Sequence, residues 1–139
     1  MKILISVRFA LLFITFGVQN FSNGSAFAAM EEGTALFAIK TLESYSENAQ
    51  IGQRLFEAKY ADCHGPNAVG QAGVAPLLIH EIYEPNHHGD ESFQRAVALG
   101  VRAHHWKFGN MPAVAGRTRV EVKSIIAHVR ELQRHNGIF

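Results

Sequence analysis

The sequence predicts a small all-α fold of three to four helices joined by long loops, and three observations carry that reading. Apolar residues recur at helical spacing in three stretches, beginning near Asn48, Asp90 and Thr118. No stretch alternates apolar and polar residues as a half-buried strand does. The segments between the helical stretches are long and rich in Gly, Pro and Asn.

Residues 1–28 stand apart from the fold. Lys2 and Arg8 give a positive start, "FALLFITFGV" at residues 9–18 is an unbroken apolar run, and Ala26-Phe27-Ala28 has the small-x-small form of a cleavage site. The run is only about half of the ~20 residues a spanning helix needs. A signal peptide cleaved after Ala28 is the expectation, leaving a soluble exported monomer of 111 residues in a bacterial periplasm, with the membrane touched only through the uncleaved leader. Without Lys2 and Arg8 the chain has 11 basic and 12 acidic residues, which argues against nucleic acid as a partner. Export also sharpens the meaning of Cys63, the single cysteine in a compartment that favours disulfides. It is a free thiol, an intermolecular partner, or tied covalently to something other than protein.

Each element has its own signal. Residues 29–47 have weak periodicity and read as an N-terminal extension over a domain spanning 48–139. The first helix starts at Ser46 or Asn48 as N-cap and places Ile51, Leu55, Phe56 and Ala58 on one face. Residues 65–89 form a long ordered loop, unusual in a domain of this size unless something other than protein fills the space it encloses. Asp90 reads as the N-cap of a second helix with Phe93, Ala96 and Val97 facing inward and Gly100 as its stop. A second loop, 101–117, contains "HHWKFGNMPAVAG". The last helix opens on the capping box Thr118-x-x-Glu121, carries Val122, Ile125, Ile126, Val129 and Leu132 as a stripe, and ends at Gly137. The helices supply few large apolar side chains for a chain of this length. A flat hydrophobic cofactor would give the loops something to pack against.

The chemistry concentrates in "KYADCHGPNAVG", residues 59–70. Cys63-His64 matches the second half of a haem-attachment site, C-x-x-C-H, but Tyr60 stands where the first cysteine would be. Taken in order, a helix entering Cys63-His64-Gly65, then "GVAPLL" with Pro76, a middle helix, "FGNMP" with Met111 and a closing helix, the region from residue 48 to 139 resembles the class I cytochromes c. The resemblance implies an all-α cytochrome c fold around one haem c. It makes His64 and Met111 the two axial iron ligands and makes the Pro76 carbonyl the acceptor for the second ring N–H of His64. Cys63 would form a thioether to one haem vinyl group, and the Trp106 indole N–H would reach a haem propionate. Read without the family, Met111 and Trp106 are equally ordinary core residues of their loop, and Pro76 a rigid turn.

Tyrosine cannot form a thioether, so three outcomes stay open: a haem held by the single Cys63 bond, a haem held without a covalent link, or no haem. The first implies a monohaem one-electron carrier between redox proteins. It implies no enzyme, since a His/Met iron has no open position and no acid/base pair or nucleophile arrangement is visible. The alternatives are a haem protein in which Met111 lets go to sense a ligand or act on peroxide, and a haem-free protein of the same fold binding copper or zinc through its paired histidines. Those pairs, His87-His88 and His104-His105, read in the sequence as solvated loop residues, because adjacent residues do not easily point at one ion. His104 or His105 could also replace Met111 on iron, which would lower the potential.

Overall fold

The computed structural model describes residues 31–139, and the leader predicted for residues 1–28 lies outside them. Among the described residues four helices form, α1 Glu47–Lys59, α2 Ala61–His64, α3 Asp90–Leu99 and α4 Arg119–His135, with two single 3-10 turns at Pro66–Ala68 and Glu81–Tyr83. Among the described residues there is no strand, only isolated bridges such as Val101 to Met111. None of the described helices is long and apolar enough to cross a membrane.

The longest helix follows its local signals. The Thr118 side chain accepts from the Glu121 N–H while the Glu121 carboxylate accepts from the Thr118 N–H, so two otherwise orphaned donors are satisfied together. Its predicted stripe is buried throughout: Val122, Ile125, Ile126, Val129 and Leu132 are all 5% exposed or less. Gly137, at φ +82°, follows its end.

α1 buries a different face from the one its hydropathy suggests. Ser46 is the N-cap, but the buried residues are Ala49, Gly52 and Phe56, while Ile51 is 46% exposed and Ala58 also faces solvent. The reason is Gly52. A Cβ at that position would lie 1.8 Å from the Ser124 carbonyl oxygen and 2.9 Å from the Ile125 nitrogen, so α1 and α4 cross with their backbones in direct contact. A glycine contributes nothing to a hydropathy pattern, yet it marks the centre of this contact.

The start of α3 also differs. Gly89, not Asp90, is the N-cap, and the Ser92 hydroxyl donates to the Gly89 carbonyl. Asp90 is the first helical residue, and its carboxylate turns to Arg130 Nε at 3.0 Å. The buried Arg130 guanidinium takes that carboxylate in an ion pair with both partners charged, whereas a capped amide is neutral.

Residues 31–46 lie against the rest. Gly33 donates to the Ala72 carbonyl, Ala72 donates to the Thr34 carbonyl, and the Lys40 backbone exchanges two hydrogen bonds with the Asn136 side chain. Ile39, Leu42 and Tyr45 pack against the core formed by Phe56, Tyr60 and α4.

Tyr45 and Phe56 enclose His128, whose ring is fully buried and whose two nitrogens have no hydrogen-bond partner among the described residues. Burial pushes its pKa down to about 4, against an opposing pull from Glu131. The pKa is depressed in the folded state, so from the ordinary 6.5 down to about 4 the unfolded chain takes up a proton that the folded chain refuses. Stability therefore falls as pH falls through that window, by about 2 kcal/mol once relaxation around a buried charge is allowed for.

Two outcomes follow from this packing. Gly52→Ala should lower unfolding stability by at least about 3 kcal/mol, read by denaturant titration, because the clash is with backbone and cannot be relieved by a rotamer change. A loss under about 1 kcal/mol would mean the helices do not touch there. Urea unfolding at pH 7 and pH 4.5 should show a smaller acid loss in His128→Leu than in the native chain. An equal loss would assign the acid sensitivity to another group.

Candidate functional site

The junction of α1 and α2 sets the site. The Tyr60 carbonyl accepts from both Cys63 N–H (3.1 Å) and His64 N–H (2.7 Å), so the CxxC-like segment is wound into one tight turn that ends at His64. Gly70 then donates to the His64 carbonyl at 2.6 Å, and the following loop turns back. It brings the Pro76 carbonyl 2.8 Å from His64 Nδ1, across 12 residues of chain.

A carbonyl can only accept, so Nδ1 carries the proton and the lone pair of His64 sits on Nε2. The ring is buried, and burial holds its pKa below the ordinary imidazole range despite the partly opposing Pro76 bond. His64 is thus neutral near pH 7, with its tautomer fixed, which is the form that binds a metal.

His64 lines a cleft of about 660 Å³, in the size range of cofactor sites. Phe56, Val97, Ile126 and Val129 form apolar parts of its wall, and Cys63, Pro76, Trp106 and Met111 line it as well. The structure thus brings together at one cleft all five residues singled out in the sequence. Cys63 is an exposed free thiol at this lining.

Met111 is held there by backbone geometry. Val101 and Met111 exchange two N–H···O bonds of 2.9 Å, and Val114 N–H donates to the Val97 carbonyl at the end of α3. Gly100 makes this possible on two counts. It has φ +76°, and a Cβ there would lie 2.5 Å from the Met111 carbonyl oxygen. Asn110 Oδ1 accepts from the Ala103 N–H at 2.9 Å and closes the loop.

Tyr60 occupies the place of a first cysteine as part of the core. It is 6% exposed, its ring stacks on Phe56 at 5.8 Å, and it also lines the cleft. Its hydroxyl has no hydrogen-bond partner among the described residues, and burial raises its pKa, so it is a neutral phenol. It offers aromatic surface and no bond-forming atom.

Two further residues, Tyr83 and Arg130, were missed in the sequence. The Trp106 N–H, which sequence reading offered to a propionate or to the loop core, donates to the Tyr83 hydroxyl at 2.9 Å. Arg130 is 6% exposed, bonds Asp90, the Tyr83 and His88 carbonyls and Gln133, and lies 4.9 Å over the Phe93 ring. The signal for it was an arginine beside Val129, on the flank of the apolar stripe of α4.

His87, His104 and His105 are exposed, as the sequence reading expected, but the two pairs also meet. His87, His88 and His105 place one ring nitrogen each within 4.8 Å of the others, and the His104 ring lies 4.2 Å from that of His105. Partial desolvation, and then the neighbouring rings, hold His88 and His105 below the ordinary imidazole range.

The residues present fit a haem of the c type: an apolar cleft, a neutral imidazole with a fixed lone pair, a thioether side chain from a second segment, and a thiol next to the imidazole. The cytochrome c family model matches residues 49–133, more than half of the chain, and the protein belongs to that family. It is accordingly an electron-transfer haem protein of all-α fold, with redox proteins as its general class of partner. No curated protein and no solved structure matches the chain.

Proposed function

We propose that this protein is an exported monohaem cytochrome c that carries one electron at a time between larger redox proteins, its haem held by a single thioether from Cys63 and ligated by His64 and Met111. The observation that carries this reading is the 2.8 Å bond from His64 to Pro76, which aims a neutral imidazole lone pair into the cleft that Met111 also lines. Haem, when bound, supplies a one-electron iron couple.

The remaining work belongs to the chain. Pro76 fixes the His64 ring and raises its basicity as a donor. Met111 offers a soft sulfur, which favours the reduced state and raises the potential above that of a second imidazole. The apolar wall of Phe56, Val97, Ile126 and Val129 would keep water from a bound iron and lower the local dielectric. With both His64 and Met111 as its ligands, the iron would have no position left for a substrate, which makes a carrier the natural role. Export to the periplasm rests on the leader at residues 1–28. The lone Cys63 suits that setting when its sulfur is bonded to a vinyl carbon, since it then cannot form a stray disulfide.

The test is a reduced alkaline pyridine haemochrome spectrum, run beside a haem-stained denaturing gel. A single thioether predicts a band between the two-thioether and non-covalent positions, with stain retained on the polypeptide. In Cys63→Ala the stain should be lost and the haem should become extractable into acidified organic solvent. A band at the non-covalent position with no stain on the native chain would overturn the thioether, and absence of haem would overturn the proposal altogether.

A further inference from the structure

The two His-His dipeptides lie in different loops, and nothing in the family's electron-carrying chemistry uses them. They meet because those loops are pinned together. Arg130 bonds the carbonyls of Tyr83 and His88 from α4, and the Trp106 indole donates to the Tyr83 hydroxyl from the other loop. The result is a cluster at the cleft in which the rings of His87 and His105 are 5.3 Å apart and those of His88 and His105 are 5.2 Å apart.

We propose that His87, His88 and His105 form a binding site for a divalent transition-metal ion of the zinc(II) or copper(II) kind, with a fourth position open to water. One ring nitrogen of each lies within 4.8 Å of the other two. An ion bound at about 2.0–2.1 Å from each nitrogen needs them somewhat closer, a change within reach of ring rotation. His87 and His105 are exposed, so their rings are free to turn and the ion can enter from solvent.

His88 is the oriented member. Its Nδ1 donates to the Ile82 carbonyl, which leaves Nε2 as the ligand atom and fixes the ring, the arrangement that metal-binding histidines commonly have. His104 has the same feature through the Arg102 carbonyl and stands next to the site. The ligand set is wholly imidazole, with no carboxylate, which selects zinc, copper or nickel over calcium or magnesium. The three nitrogens come from two loops, the first held by the buried Arg130 at Tyr83 and His88 and joined to the second by Trp106 on Tyr83, so the site is preorganised to within a side-chain rotation.

The site is independent of how the haem is held, and either reading can fail without the other. The full exported chain, purified without a polyhistidine tag, is titrated with zinc sulfate by calorimetry and with copper(II) by electron paramagnetic resonance. The expected result is saturable binding of one equivalent, with nitrogen hyperfine structure on copper. In His105→Ala the affinity should fall by more than about tenfold, with the haem absorption bands unchanged. His135→Ala, which alters an exposed histidine near the C-terminus, should bind as the native chain does. Absence of saturable binding, or an affinity unchanged in His105→Ala, overturns the site. So does a His105→Ala variant whose haem bands shift, since that ring would then be serving the haem.

Discussion

The rest of the molecule depends on the contact between α1 and α4 at Gly52. The two backbones meet there with no room for a Cβ, and this close approach buries Ala49 and Phe56 against the stripe from Val122 to Leu132. Once that crossing is fixed, Tyr60 continues from the end of α1 into the same core, and its carbonyl winds the turn that ends at His64. The position of the imidazole is therefore set by helix packing many residues away. The loops have only to meet it.

They do so through polar contacts more than apolar ones. Residues 65–89 are held at the His64 to Pro76 bond, at the Leu78 amide on the Ala68 carbonyl, and by Arg130 at Tyr83 and His88. The 101–117 loop is held by the Val101 to Met111 pair and by Trp106 on Tyr83. Each contact satisfies a backbone group or indole that would otherwise be costly to leave unpaired in partly buried loops. Arg130 is the most connected of these. It joins α3, the 80–89 loop and α4 while its own charge is matched by Asp90.

What the sequence made legible was local. The capping box at Thr118, the stripe of α4 and the stop at Gly100 depend on residues a few positions apart, and each was readable from spacing alone. The buried face of α1 was misassigned because its centre is a glycine, whose role exists only in the presence of Ser124. The capping of α3 was misassigned because Asp90 answers to an arginine 40 residues away. The meeting of His87, His88 and His105 was invisible for the same reason. As for His64, Pro76 and Met111, the residues alone showed an imidazole, a rigid turn and a sulfur in separate segments. Their grouping came from resemblance to a family, and the cleft is where the structure places them together.

Tyr60 stands where a C-x-x-C-H site has its first cysteine, and the turn to His64 keeps its shape around it. The aromatic ring fills space against Phe56, leaving the turn, the imidazole and the proline carbonyl in place. On this account the covalent bond is secondary, and the cleft with its two ligands is primary. The most direct test is the visible spectrum of the oxidised protein. His64 and Met111 on one iron predict a weak far-red charge-transfer band that disappears in Met111→Ala. A spectrum without that band in the native chain, or one in which Met111→Ala leaves it intact, would contradict the account.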